Sequence, residues 1–215
     1  MRIDIWSDVV CPWCFLGKRR LESALSRFEH PDEVEIHWRS FELDPHAPAV
    51  REGDPAERIA RKYGISADQA RAASRRLTDL AAAESLDYHL DRTRSGNSFD
   101  AHRLIHLGGE RGIQDRVKER LLAAYLCEGQ AIGDKEVLQV QAVAAGLGEA
   151  EVSAVLQGDD YGAQVRADEA EAREREITGV PFFLIDGRFG IPGAQETETI
   201  LAVLRRAWEK AEVRP

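Results

Sequence analysis

Cys11 and Cys14 bracket two residues in Cys11-Pro12-Trp13-Cys14, and no other pair in the chain has types and spacing so suited to chemistry. Two thiols one helical turn apart can close into a strained, reversible disulfide and so pass electrons two at a time. Arg2-Ile3-Asp4-Ile5-Trp6-Ser7 has the β-branched and aromatic content of a strand, and Pro12 to Phe28 reads as a helix. The pair therefore sits where a strand hands over to a helix. Pro12 suits the first helical position, where its missing N–H costs nothing. Cys14, Leu21, Leu25 and Phe28 fall on one face of that helix, which must pack on the sheet. Cys14 is expected to be buried. Cys11, at the cap, is expected to be the accessible sulfur, its pKa lowered by the free N–H groups of the helix start. The roles follow: Cys11 attacks or is attacked, and Cys14 resolves the mixed disulfide. Trp13 offers an apolar surface for substrate or, equally, a cover for the neighbouring loop.

Half a zinc site is the competing use of such a pair, but zinc takes four ligands, usually from two paired clusters. The remaining cysteine is Cys127, and among six histidines only His102 and His106 stand four apart, with no obvious carboxylate to complete a site. No metal is expected.

The elements that must position the pair lie at the two chain ends. Val34 to Phe41 reads as a second strand, after which Pro45 and Pro48 break regularity. From Asp54 to about Arg175 the sequence is rich in Ala, Arg, Glu and Leu. Ile113, Val117, Leu121 and Tyr125 form a helical stripe widened by Leu122 and Leu126. Asp134 is a candidate N-cap, Gly146 and Gly148 punctuate a helix end, and helical character returns from Tyr161 to Glu176. Phe182-Phe183-Leu184-Ile185 is then an apolar strand, Asp186-Gly187 a hairpin turn, and Arg188 to Ile191 the returning strand. Ile200, Leu204 and Trp208 mark a last amphipathic helix. The expected architecture is an α/β domain built from residues 1–50 and 177–215, split by an all-helical insertion at 51–176. Within the insertion, 56–84 reads as a solvated helix pair.

Val180-Pro181 opens the third strand, the one place a strand tolerates proline without an edge. A Cys-x-x-Cys after the first strand, with Gly179-Val180-Pro181 before a late hairpin, resembles the thioredoxin superfamily. The resemblance implies a cis Pro181 lying against the cysteine pair, with the Val180 backbone free to bond an extended substrate segment. The long helical insertion resembles the DsbA-like group. The FrnE-type branch is nearest, on Ser7 to Cys14, Phe41-Glu42-Leu43-Asp44-Pro45, Asn97 to Arg103, Gly133-Asp134, Gly179 to Phe183 and Gly193-Ala194-Gln195. The same branch includes 2-hydroxychromene-2-carboxylate isomerases and kappa-class glutathione transferases, which carry serine where this chain has Cys11. A second Cys-x4-Cys pair of certain relatives is absent, which puts in doubt any isomerase activity that depends on it.

A net charge of −9 over 215 residues argues against nucleic acid or an anionic membrane as the main partner. No run of about 18 apolar residues exists to span a bilayer. The first strand begins at Arg2, so no signal segment is expected and the cytoplasm is the expected compartment.

The sequence thus implies a cytoplasmic thiol–disulfide oxidoreductase using Cys11 and Cys14, with Trp13, Val180 and Pro181 at the docking edge and Pro12 tuning the pair. Its partners would be protein thiols and disulfides or small thiols. No resident cofactor is expected, and glutathione or an equivalent thiol is a candidate co-substrate. The alternative is a thiol-cofactor-dependent isomerase or transferase acting on an aromatic small molecule, with polyketide biosynthesis as one setting. The insertion is also a candidate homodimer face. Three smaller features stay open. Cys127 is either a third exchanging thiol or a small buried hydrophobe. Asp4 is either a buried proton relay with raised pKa near Cys14 or a structural polar contact. His102 either touches substrate or is an internally bonded helix histidine.

Overall fold

Arg2–Ser7 (β1) is the strand on which the rest is assembled, buried along its length after Arg2. The computed structural model describes residues 1–212. β1 pairs in parallel with Glu35–Ser40 (β2) on one side and antiparallel with Phe182–Ile185 (β3) on the other. β3 pairs in turn with Phe189–Pro192 (β4), giving the order β2-β1-β3-β4. The parallel connection runs through Pro12–Leu25 (α1), because parallel neighbours need a crossover. The β3–β4 hairpin turns at Asp186 and Gly187, both left-handed with φ of 47° and 68°, the geometry that an Asp-Gly pair supplies at least strain.

Seven helices separate β2 from β3: Pro55–Tyr63 (α2), Ala67–Ala83 (α3), Phe99–Glu110 (α4), Gln114–Leu126 (α5), Lys135–Ala144 (α6), Glu149–Gln157 (α7) and Gly162–Glu174 (α8). Thr197–Glu212 (α9) closes the described chain. Asp134 caps α6 as expected, its carboxylate accepting from Glu136 N–H, and Gly146 takes φ of 101° just past that helix. The expected helix pair at 56–84 is α2 and α3, with little of either buried.

The two faces of β1 meet different partners. Ile3 and Ile5 enter the main core with Leu16 and Leu21 of α1, Ile200 and Leu204 of α9, and Leu121 and Leu122 of α5. Trp6 faces the other way, into a smaller cluster with Ala172, Ile177 and Leu184. Its indole N–H donates to the Asp168 carbonyl of α8 at 3.0 Å. Strand alternation puts Asp4 on this second face, away from α1.

The helix expected to reach Phe28 ends at Leu25, with Ser26 as C-cap, although Phe28 still packs in the core. Asp4 is a structural contact and not a relay beside Cys14. Its carboxylate takes bonds from Arg2 (2.7 and 2.9 Å) and Arg39 (2.7 Å). Burial raises its pKa, but the two guanidiniums outweigh that and hold it below the ordinary value. Arg39 also reaches Asp168 at 2.9 Å, and Asp168 accepts from Ser40 N–H at 2.9 Å and meets His106 at 3.0 Å. A buried carboxylate on α8 thus latches the helical segment to β2.

Candidate active site

The turn after β1 is held by Asp8, whose side chain is fully buried. One carboxylate oxygen accepts from Leu43 N–H at 2.8 Å, the other from Val10 N–H at 3.4 Å. Its carbonyl accepts from Cys11 N–H at 3.2 Å. One residue thereby fixes the chain that delivers the cysteines and ties it to the segment after β2. Cys11 is the N-cap of α1, with extended backbone (φ −95°, ψ 112°) and Pro12 at the first helical position. Cys14 N–H donates to the Cys11 carbonyl at 3.0 Å.

Both cysteines are free thiols and both are buried, Cys14 at 1% exposure and Cys11 at 4%. The burial of Cys14 is as expected; that of Cys11 corrects the expected accessible sulfur. Cys11 Sγ does not bond the helix N-terminus. It turns toward β3 and donates to the Val180 carbonyl at 3.5 Å. The expected lowering of its pKa is corrected too: the Cys14 N–H at the helix start does pull it down but is outweighed. The hydrogen bond to Cys14 and burial push the Cys11 thiol well above its usual value. Burial also raises Cys14, but the bond from Cys11, the Lys118 ammonium and the Ser7 hydroxyl outweigh it and bring Cys14 down. The two thiols thus shift in opposite directions, the outer one up and the inner one down.

The Val180–Pro181 peptide is cis. Pro181 is buried and its carbonyl accepts from Gly193 N–H at 2.8 Å. The close approach of α1 to this turn is made at Gly17. A Cβ there would meet Pro181 Cγ at 2.9 Å and Phe183 Cζ at 3.2 Å. Pro12 gives its carbonyl to the Tyr88 hydroxyl at 2.6 Å, and the Tyr88 ring stacks on Phe15 with centroids 6.2 Å apart. Trp13 is 44% exposed beside the pair, the one member of the motif with a large open surface.

His102 is 1% exposed on α4 and faces Asp8, its Nε2 3.4 Å from Oδ1. Burial lowers its pKa more than Asp8 raises it, so the ring is neutral near pH 7. It is an internal histidine, out of reach of a substrate. Cys127 is the half-buried C-cap of α5, its thiol pushed up to about 11 chiefly by burial. Among the described residues, no group of three or more His, Cys, Asp or Glu side chains is placed to hold a metal ion. A groove of about 1050 Å³ runs between α2, α3 and the 88–91 segment and reaches the cysteine motif only through Tyr88.

Four residues of this site escape a reading of motifs: Gly17, Asp8 in its load on the turn, Tyr88 and Lys118. Lys118 carried a signal. It lies three, four and seven residues before Leu121, Leu122 and Tyr125, inside the apolar stripe of α5, where a lysine has no solvent to reach.

A family model described as a DSBA-like thioredoxin domain matches residues 2–205. The chain belongs to that family. A DsbA-like thioredoxin fold accounts for the mixed four-stranded sheet and for a helical segment set between β2 and β3. A probable DsbA oxidoreductase from Streptomyces coelicolor is 42% identical, with a TM-score of 0.94 over 100% of this chain and 92% of that one. The protein YwbO of Bacillus subtilis (strain 168) is 29% identical over 206 residues, 90% of each chain. A 2-hydroxychromene-2-carboxylate isomerase shares the fold at 14% identity, with a TM-score of 0.70 over 100% of both chains. Among the described residues of this DsbA-like chain, no helix is long and apolar enough to cross a membrane.

Proposed function

We propose that this DsbA-like chain is a cytoplasmic thiol–disulfide oxidoreductase in which Cys11 is the nucleophile and Cys14 the resolving thiol. The observation that carries the reading is the placement of two free thiols at the start of α1, with Cys11 Sγ donating to the Val180 carbonyl beside the cis Val180–Pro181 peptide and with Trp13 exposed next to them. Transfer of the Cys11 proton inward to Cys14 leaves Cys11 as thiolate. Cys11 then attacks a client disulfide, forming a mixed disulfide and releasing one client thiolate. Cys14, giving its proton to the client thiolate already released, attacks Cys11 Sγ, closing the internal disulfide and releasing the second client thiolate. Two electrons have moved from the cysteine pair to the client. A protein dithiol or a low-molecular-weight thiol such as glutathione restores the pair by the reverse steps.

Trp13 supplies apolar docking area, Val180 and Pro181 form the edge that receives the client backbone, and Pro12 sets the helix entry. In this reading 1–50 with 177–215 is the redox domain and 51–176 the insertion that shapes access. The likeness to the Streptomyces protein across the whole chain supports redox chemistry over the isomerase or transferase alternative. The test is a pair of variants. Cys11→Ser abolishes reduction of insulin disulfides, and Cys14→Ser accumulates mixed disulfides on Cys11 that intact-mass measurement detects. Full insulin reduction by Cys11→Ser would overturn the assignment, and turnover of an aromatic substrate by it would favour the alternative.

A further inference from the structure

Lys118 lies beneath the cysteine pair with no exposed surface. An ammonium taken out of water costs several kcal/mol unless an anion or several acceptors replace the solvent. Its replacements are thin. Nζ donates to the Ser7 carbonyl at 3.2 Å and sits 5.5 Å from the Trp38 ring centroid. No carboxylate of the described residues lies within ion-pair distance of Nζ, although Lys18 on α1 has three. The carboxylates nearest in charge are otherwise engaged. Asp8 is held by two backbone N–H groups and faces His102. Asp115 accepts from Trp38 Nε1 and from Lys18.

The groups whose charge reaches Lys118 are Cys14 from the first turn of α1, Cys11 and Asp8 from the β1–α1 turn, Asp115 from its own helix, and His102 from α4. The Ser7 hydroxyl is buried on the same side and is directed at Cys14, with no other partner. The anion missing from this arrangement is the one the redox cycle creates.

We propose that Lys118, delivered by α5 of the helical segment, is the charge partner of Cys14. It holds the inner sulfur as thiolate in the reduced protein and loses that partner when the disulfide closes. The role rests on the oxidoreductase reading for its use but not for its measurement. Burial pulls Lys118 down to about 8, with Cys14, Asp8, Cys11 and Asp115 opposing. The ammonium is therefore protonated at neutral pH while the thiolate is present. Oxidation removes the negative sulfur, so Lys118 gives up its proton more readily in the disulfide form. The insertion is thus part of the redox centre.

The test titrates Cys14 in a Cys11→Ser, Cys127→Ala background, following thiolate absorbance and the rate of alkylation against pH. Lys118→Met raises the Cys14 pKa so that the thiolate fraction near neutral pH falls at least tenfold. Lys118→Gln keeps a donor for the Ser7 carbonyl, removes only charge, and gives the same shift; it also serves if Lys118→Met does not fold. With Cys11 restored, either variant moves the dithiol–disulfide equilibrium with glutathione at least tenfold toward the disulfide, about 30 mV. A Cys14 titration unchanged in a folded variant overturns the proposal. The titration needs no client, so failure to reduce insulin disulfides would sink the oxidoreductase reading while leaving this one to its own result.

Discussion

Replacing Gly17 by alanine puts one methyl group where α1 touches the cis-proline turn. The added Cβ would lie 2.9 Å from Pro181 Cγ, 3.2 Å from Phe183 Cζ and 3.5 Å from Ala194 Cβ. Carbon atoms rest at about 3.5–4.0 Å, so the first contact is short by at least half an ångström. Neither neighbour gives easily: Pro181 is a ring fixed to the backbone, and Phe183 is 1% exposed. Overpacking of this kind costs about 1–3 kcal/mol. Alanine returns roughly 0.5–1 kcal/mol of that, since glycine is the poorer helix former. The net expectation is a loss of about 1 kcal/mol, with α1 displaced from β3 and Cys11 Sγ moved off the Val180 carbonyl. Urea unfolding measures the first part through the midpoint at constant slope. The rate of mixed-disulfide formation in the Cys14→Ser background measures the second and should fall. A Gly17→Ala protein that is more stable than its parent and equally fast would refute the argument that this approach sets the site.

Asp168→Ala strips Arg39, His106 and Ser40 N–H of a shared acceptor and should cost about 3–5 kcal/mol, read by urea unfolding. The folded pKa values of Asp4, Asp8 and Asp168 are all lowered. Their contribution is therefore present above the unfolded value of about 3.9 and disappears as pH falls through the folded values. An acid titration of stability should break below about pH 4, and a flat profile to pH 2 would contradict it. Glu42 runs the other way, raised to about 7 mainly by burial, with Glu169 adding to it against the pull of Arg166. Its proton is held more tightly folded than unfolded, so it favours the fold at low pH and loses that advantage as pH rises toward 7. Glu42→Gln should gain stability over its parent between pH 5 and pH 8, and a constant difference would count against the assignment. Cys127→Ala should leave insulin-disulfide reduction unchanged, because its thiol is pushed up to about 11 and stays protonated at neutral pH.

Local signals made much of this legible. The strand composition of β1, proline at the first position of α1, the stripe of α5 and the Asp-Gly turn each act within a few residues, and each of these features lies where the sequence puts it, although α1 stops at Leu25. The resemblance carried by Gly179-Val180-Pro181 placed a cis peptide where the structure has one. What failed depends on distant chain. A helix start favours a thiolate at Cys11 when read alone, yet the Val180 carbonyl, 169 positions away, takes that sulfur as a donor. Strand parity separated Asp4 from Ile3 and Ile5 but could not say which face met α1, because that is decided by where α8 and α9 pack. Gly17 looks like a weak spot in a helix until Pro181 is set against it. Lys118 shows itself only as a charge in an apolar stripe. Its meaning comes from Ser7, 111 residues earlier in the chain.

Equilibration of the intact protein across a series of glutathione redox buffers, followed by thiol counting and peptide mapping, bears most directly on the central claim. Cys11 and Cys14 should disappear together as one internal disulfide, in a transition with two-electron slope, while Cys127 stays free. Separate glutathione adducts on the two cysteines, with no bond formed between them at any buffer ratio, would contradict it.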